Sequence, residues 1–424
     1  MPSSQGSPLP RSFAPTHTGA FVLLAAVSSF SAYLCMYAFR KPFTAGFYEG
    51  HTFWGIHFKI LLVVAQVAGY ATSKFIGIRV ISSMNARLRG RSILGLIGVA
   101  ELALVGFALT PSPWNAVWMF VNGLPLGMIW GLVFSYLEGR RTTEVLTAAL
   151  SVNFILSSGF VKTTGRWLLD AGVSEWWMPA VTGLLFVPLL LLAVAMLERL
   201  PPPTSADLES RSPRVAMNAQ GRKELFLRYA PGLVILIVVY LLLTVIRDVR
   251  DNFAVEIWAG LGFKGLPSIL TTAEIPVAVL TLAGISVLMI VRNNFQALKV
   301  NLLICGLSIL LLGGSTLAFR HGALGPVVWM IVSGVGLFVP YILFNGILFD
   351  RLLAAFRERG NVGFLMYTAD AFGYLGSVGV LLWRNFGAGS LSWLDFYTTL
   401  CYTGAGAMLI LIGMAWQYFF HKQR

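Results

Sequence analysis

Apolar residues fall along this chain in long unbroken runs, without the alternation of strands or the one-sided stripes of soluble helices. Runs at roughly 20–45, 57–81, 92–110, 114–138, 145–169 and 178–197 are followed by six more at roughly 229–251, 266–291, 298–319, 324–350, 361–384 and 393–420. Each is close to or above the about 20 residues that a helix needs to cross a bilayer. The pattern predicts twelve transmembrane helices. The stretch 198–228 differs in kind, with Pro201, Pro202 and Pro203 in a row and ten charged residues. It predicts a solvated linker between an amino-terminal half, 19–197, and a carboxy-terminal half, 229–424.

Composition agrees. Of 424 residues 57% are hydrophobic and only 12% charged, and the mean hydropathy is +0.75. No soluble core hides that much apolar surface, so the chain reads as a polytopic membrane protein. The formal net charge of +13 is spread over loops and gathers in no patch, which argues against nucleic acid. Placing the amino terminus inside puts Arg11, Arg79, Arg87, Arg89, Arg91, Arg140, Arg141, six basic linker residues, Arg292, Lys299, Arg351, Arg357, Arg359, Lys422 and Arg424 on the cytoplasmic side. Both termini are expected there, with residues 1–18 as a short tail, and the compact loops suggest a bacterial inner membrane. Cys35, Cys305 and Cys401 sit singly in apolar runs, so buried free thiols are expected, with no disulfide, metal or cofactor.

The halves resemble each other. Trp118-Met119-Phe120-Val121-Asn122-Gly123 in the fourth run matches Trp329-Met330-Ile331-Val332-Ser333-Gly334 in the tenth at an offset of 211, which also pairs Leu126 with Leu337 and Arg140 with Arg351. Near the end of each half's first run, Tyr33, Tyr37 and Arg40 recur as Tyr240, Thr244 and Arg247. A 6+6 duplication implies two pseudo-symmetric bundles facing a cavity at mid-membrane.

The embedded polar residues need an explanation. Tyr33, Tyr37 and Arg40 share one helical face, and Gln66, Tyr70 and Lys74 follow at four-residue spacing. The fifth run holds Asn153, Ser157, Lys162 and Arg166, and the seventh Arg247, Asp248, Arg250 and Asp251. Buried acids are fewer: Glu101, Glu274, and Asp370 between Tyr367 and Tyr374. A charge at the bilayer centre costs about 2.5–3.5 kcal/mol on translocon scales. The amino-terminal excess of Arg40, Lys41, Lys74, Lys162 and Arg166 over Glu101 favours an anion in the cavity. Arginine's fork suits a phosphate or carboxylate held bidentately. Competing readings stay open. Arg40, Lys41, Arg166, Arg247 and Arg250 lie near helix ends and can snorkel to headgroups, whereas Lys74 is too deep to do so cheaply. Arg247 and Arg250 have Asp248 and Asp251 beside them. Glu101, Glu274 and Asp370 are either charge partners of the cations or proton carriers.

Tyr37-Ala38-Phe39-Arg40-Lys41-Pro42-Phe43 and Gly69-Tyr70-Ala71-Thr72-Ser73-Lys74-Phe75-Ile76 carry a family likeness. With its twelve runs, the chain resembles the major facilitator superfamily, and within it the organophosphate:phosphate antiporter branch of glycerol-3-phosphate and hexose-phosphate transporters. The resemblance implies the major facilitator fold, a monomer, and roles for Arg40, Lys41 and Lys74 in holding the substrate's phosphate. Arg247 or Arg250 would complete the clamp; the helical faces, apart from the resemblance, add Tyr37, Tyr70 and Lys162 as candidate binding residues. Two departures stand out. Asn85-Ala86-Arg87-Leu88-Arg89-Gly90-Arg91 lacks the acid of the superfamily's loop motif, and Lys162 has no counterpart while the branch's helix-five histidine is missing.

The expected function is secondary transport of a small organic anion by alternating access, by exchange, because an empty cluster of cations resists closure. Proton-coupled symport or efflux through Glu274 or Asp370 is an alternative, as is a sensor that binds the anion without carrying it. Enzymatic signatures such as G-x-S-x-G, H-E-x-x-H or a P-loop are missing, and His17, His51, His57, His321 and His421 lie in tails, loops or span ends.

Overall fold

The computed structural model describes residues 18–82, 88–137, 142–202, 219–286, 291, 293–356, 358, 362–387 and 391–421. The tail before residue 18, the linker core 203–218 and the basic loop residues Arg87, Arg140, Arg141, Arg292, Arg357 and Arg359 lie outside them. The chain is an all-α membrane protein in which each of the twelve apolar runs becomes a helix or a broken helix pair. The amino-terminal bundle holds α1 (Thr18–Ala38), α2 (Phe58–Ser82), α3 (Arg89–Leu109), α4 (Ala116–Leu137), α5 (Thr143–Ser151), α6 (Asn153–Asp170) and α7 (Met178–Glu198). After α8 (Ala219–Arg228) come α9 (Ala230–Asn252), α10 (Ala254–Gly260), α11 (Ile269–Thr272), α12 (Glu274–Ser286), α13 (Asn294–Arg320), α14 (Pro326–Phe344), α15 (Ile347–Ala355), α16 (Val362–Gly387) and α17 (Trp393–His421). Among the described residues ten spans are long and apolar enough to cross a membrane. The second run (α2) and the fifth (α5 with α6) complete the twelve; in the fifth, Lys162, Arg166 and the break at Val152 keep either helix from counting as a span.

Three expectations change. The first span ends at Ala38, not near residue 45, because Pro42 has no N–H to continue a helix. The N–H groups of Arg40 and Lys41 close back on the Tyr37 carbonyl at 3.0 and 2.9 Å, and a 3₁₀ turn, Pro42–Ala45, follows. Arg40 therefore sits just past the helix that carries Tyr33 and Tyr37. The fifth run breaks at Val152, where Asn153 Nδ2 donates to the Leu150 carbonyl at 3.0 Å and so occupies a carbonyl freed by the break. Finally, residues 219–228 of the expected linker are helical, and Arg228 pairs with Glu358 at 2.8 Å.

Lipid tails are as apolar as leucine, so helices in a bilayer associate through close packing and hydrogen bonds. The duplication is visible in that packing. A Cβ on Gly123 of α4 would meet the Tyr70 backbone N of α2 at 2.8 Å, and one on Gly334 of α14 would meet Val277 of α12 at 2.9 Å. The indole N–H of Trp118 donates to Thr110 at 2.8 Å, and that of its repeat mate Trp329 to Thr316 at 3.1 Å. Leucines such as Leu102, Leu184, Leu192 and Leu307 face outward to lipid, whereas α9 and α14 are the most enclosed spans, each 72% buried.

Two seams join the bundles. Along one, α2 runs antiparallel to α16, with Tyr70 edge-on to Tyr374 and, at the end of the seam, His57 N–H donating to Asn385 Oδ1 at 3.2 Å. Along the other, Thr163 of α6 meets the Pro267 carbonyl at 3.0 Å and Thr271 of α11 at 2.7 Å. A small hairpin before α2, β1 (Thr52–Phe53) and β2 (Ile56–His57), turns through Trp54 and Gly55, both with positive φ (48° and 73°), as a two-residue type I′ turn requires. Asn385 Nδ2 donates to the Gly55 carbonyl at 2.9 Å, so the hairpin reaches across to the other bundle. The membrane face bearing this hairpin is called the hairpin side below.

Candidate functional site

The end of α1 is held by a polar knot. Asn122 Nδ2 donates to the carbonyls of Phe39 and Ala100, each at 3.0 Å, while its Oδ1 accepts from Gln66 Nε2 at 2.8 Å. Gln66 Nε2 also donates to the Arg40 carbonyl at 2.8 Å. Phe39 and Arg40 are thus fixed from α2, α3 and α4 at once. The Arg40 guanidinium lies 3.9 Å from the centre of the Tyr70 ring, 6% exposed, with its Nε buried and without a hydrogen-bond partner. No carboxylate among the described residues pairs with it.

Around Arg40 the bundles contribute complementary groups. Lys74 stands 5.3 Å from the Tyr70 ring centre and 5.7 Å from that of Tyr367, and pairs with Asp370 across the seam at 3.4 Å. Asp370 in turn accepts a hydrogen bond of 2.5 Å from Tyr240, whose hydroxyl accepts from Asn345 Nδ2 at 3.0 Å. Arg247 pairs with the adjacent Asp248 at 2.5 Å and donates to the Tyr341 hydroxyl. The Tyr341 ring stacks on Tyr240 and meets Phe154 of the other bundle edge-on at 5.9 Å. Phe154 and Tyr37 both touch Tyr33, so an aromatic chain runs from the α1 end to Arg247.

A second polar layer lies toward the hairpin side. Asp251 at the end of α9 accepts from three groups of the amino-terminal bundle: Lys41 at 2.5 Å, Lys162 at 2.6 Å and the Ser158 hydroxyl. Lys41 also donates to Asn252 at 2.7 Å. Lys59 of α2 pairs with Glu256 of α10 and donates to the Thr44 carbonyl at 2.7 Å. Arg250 turns away from the other bundle, pairing with Glu274 at 2.7 Å. A cavity of about 20 Å³, lined in part by Ser158, Lys162, Arg250, Asp251 and Glu274, separates these groups. It holds roughly one water. Lys41, Lys59, Lys162 and Arg250 each have a carboxylate, and three of these four pairs join opposite bundles.

The sequence-predicted residues thus fall into two sets. Arg40, Tyr70, Lys74 and Asp370 come together, with Arg247 and Tyr37 one aromatic ring away. Lys41 and Lys162 do not join them; both are spent on Asp251. Of the two candidate clamp arginines, Arg247 faces the central cluster and Arg250 is tied to Glu274. Snorkelling fails for Arg40, Lys41, Arg247 and Arg250, each at most 9% exposed and covered by protein. Arg166 remains near the hairpin-side edge, over the Phe47 ring and 3.8 Å from Asp170. Glu101, read as either a charge partner or a proton carrier, has no cation partner among the described residues: both carboxyl oxygens are buried without a hydrogen bond. Lys41, Lys59, Lys74 and Lys162 of its own bundle turn instead to acids on the other side of the seam.

Sequence reasoning missed Lys59, Glu256, Ser158, Asn252, Tyr341, Asn345 and the Gln66–Asn122 knot as site components. Tyr341 and Asn345, four apart in a strongly apolar run, were a readable signal. Lys59 is the third residue of the 57–81 run and Glu256 lies beyond the 229–251 run, positions where a charge at a span end is ordinary.

No curated protein matches this sequence. Solved structures do match in fold. A D-xylose-proton symporter superposes with a TM-score of 0.63 at 13% identity, covering 95% of this chain and 98% of its own. The nucleoside transporter NupG gives 0.62 at 14% identity, covering 94% and 99%. At such identity the likeness establishes the architecture: two six-helix bundles of the major facilitator type in an integral membrane protein. A profile of the family of unknown function DUF5690 matches residues 42–422, and the chain belongs to that family.

Proposed function

We propose that this protein is a secondary transporter that moves a small organic anion, a carboxylate or a phosphate ester, by alternating access. The observation that carries this reading is Arg40. It is a buried guanidinium at the seam, fixed by its own carbonyl and covered by Tyr70, with no carboxylate partner among the described residues while Lys74 and Arg247 beside it are paired. At an effective dielectric of about 20, an anion roughly 4 Å away gains about 4 kcal/mol from such a charge. The names of the two similar structures, a xylose-proton symporter and a nucleoside transporter, point to transport of small molecules. The resemblance of the Arg40 and Lys74 segments to the organophosphate:phosphate antiporters favours exchange and a phosphorylated substrate.

In this mechanism residues 19–197 and 229–424 rock against each other, with the hairpin side outermost and both termini cytoplasmic. The Asp251 and Glu256 bridges hold the hairpin side closed. Substrate bound between Arg40 and Arg247 neutralises the central charge, so that the bundles close around it without an uncompensated cation. The test is uptake and counterflow in proteoliposomes with phosphate, phosphate esters and di- and tricarboxylates. Arg40→Ala should abolish saturable flux of the accepted anion; flux that survives it, or no saturable anion flux at all, refutes the proposal.

One contact supports a second reading. Asp370 is shared by Lys74 and Tyr240 across the seam. Its protonation would release Lys74 to the substrate and couple flux to protons. In that case uptake follows an imposed pH gradient and Asp370→Asn uncouples it; exchange without pH dependence rules it out.

A further inference from the structure

We infer that Glu101 is a proton-binding carboxyl inside the amino-terminal bundle, separate from the central cluster, and that it carries its proton in this conformation. Glu101 lies midway along α3, where Val99 and Leu102 beside it face outward. Its carboxyl turns inward to the end of α1 and to α7. There it meets Gly183, next to the Phe39 ring. Both carboxyl oxygens are buried and neither has a hydrogen-bond partner.

Nothing nearby compensates a negative charge. From α4, Asn122 has its amide committed to Phe39, Ala100 and Gln66. The end of α1 offers Arg40, but that guanidinium is turned to Tyr70 on α2. The other titratable groups of α1 are Tyr33 and Tyr37, which pack on each other and on the rings beyond, and the buried thiol of Cys35. On α7 the one acid, Glu198, lies against Gly90 at the far end of α3. Arg89, at that same end, donates to the Ser135 carbonyl, with Arg91 in the same first turn and Tyr136 next to Ser135. An ionised carboxylate in such surroundings costs far more than a neutral acid, and the group takes up a proton instead. Among the described residues, the other acids in the bundle interior or at the seam (Asp248, Asp251, Glu256, Glu274 and Asp370) each have a cation in contact. Glu101 alone among them is left to a proton.

Position gives the proton a consequence. Glu101 borders Phe39, whose carbonyl Asn122 holds and whose chain neighbour is Arg40. When the proton leaves to water, the carboxylate must draw in solvent or a cation, and the knot that fixes Arg40 lies in the way. Proton occupancy at Glu101 thereby sets how firmly the α1 end is anchored, whichever substrate the central site takes.

The experiment needs neither substrate nor flux, so its failure is distinct from failure of the transport proposal. Full-length protein in lipid vesicles is treated with dicyclohexylcarbodiimide or with a water-soluble carbodiimide and mapped by peptide mass spectrometry. A neutral carboxyl in an apolar setting adds its O–H across the reagent's N=C bond, the proton going to nitrogen and the carboxyl oxygen to carbon. Rearrangement gives a stable N-acylurea that adds the full reagent mass. The expected result is an adduct on Glu101 from the hydrophobic reagent only, with the ion-paired acids unmodified. In parallel, infrared spectroscopy should show a neutral carboxyl C=O band that shifts in D₂O and is lost in Glu101→Gln. Absence of both adduct and band means an ionised Glu101 and overturns the inference. Equal labelling by the water-soluble reagent overturns it as well, since the carboxyl would then be open to water.

Discussion

Removing the Asp251 carboxylate should release the hairpin side of the molecule. Asp251 holds Lys41 at 2.5 Å, Lys162 at 2.6 Å and Ser158, all three from the opposite bundle. The Coulomb attraction of one such pair is about 6 kcal/mol at an effective dielectric of about 20, before the cost of stripping water from both charges. After that cost, breaking a buried pair by deleting one partner typically destabilises by about 3–5 kcal/mol, because the orphaned charge stays behind. The Asp251 side chain is 19% exposed, which favours the lower end of that range. Asp251→Ala orphans two ammonium groups at once, but both belong to one bundle and both reach water if the bundles part. The loss should therefore appear mainly as opening: about 3 kcal/mol is a shift of roughly 150-fold in the ratio of open to closed forms.

Spin labels at Glu49 and Lys264, both exposed on the hairpin side in opposite bundles, report that separation as a distance distribution. The wild type should populate mainly the short distance and Asp251→Ala mainly a longer one. Lys41→Ala should shift it less, because Lys162 keeps its bond to Asp251. In the double mutant Lys41→Ala with Asp251→Ala, the effects should be far from additive, since both act through one contact. An unchanged distribution and an unchanged melting midpoint in Asp251→Ala would mean that the bridge contributes nothing net, and that other contacts close this face.

Two further outcomes follow from the packing. Asn122→Ala removes the donor to the buried Phe39 carbonyl, at about 1–3 kcal/mol for a group left unsatisfied, while the Ala100 carbonyl keeps its helical N–H. Thermal unfolding in detergent should drop accordingly, with anion binding weakened through the loosened Arg40; full stability would show that the knot is not structural. Gly123→Val should be worse than any substitution of the neighbouring lipid-facing Val117, because its side chain would enter the backbone of α2 at Tyr70. Loss of folded protein on size-exclusion chromatography is the readout, and a well-folded Gly123→Val would contradict the close α2–α4 approach.

The architecture was legible because lipid imposes a simple rule on sequence. A crossing helix must satisfy its own backbone and present apolar side chains for its whole length. Twelve such runs and the repeat of Trp118–Gly123 at Trp329–Gly334 left few alternatives. Helix breaks were not legible in the same way. Val152 interrupts an apolar run without proline or glycine at that position, and the freed carbonyl of Leu150 is taken by Asn153, whose place in the run gave no sign of that role.

The site was legible in kind but not in pairing, and the reason is geometric. Helical periodicity tells which residues share a face of one helix; it carries no information about which acid of the other bundle a lysine meets. Lys41 and Lys74 belong to similar basic segments, yet one meets Asp251 and the other Asp370, because the turn forced by Pro42 carries Lys41 past the seam that Lys74 faces. The same turn leaves Arg40 pointing at Tyr70 with its charge unmatched. Counting cations in the sequence made Arg40, Lys41, Lys74, Lys162, Arg247 and Arg250 all candidate anion ligands. What separates Arg40 from the rest is that five carboxylates have been used on its neighbours: Asp251 on Lys41 and Lys162, Glu256 on Lys59, Asp370 on Lys74, Asp248 on Arg247 and Glu274 on Arg250. The unmatched charge is thus a property of the assembled pair of bundles, and it is the feature a transported anion would complete.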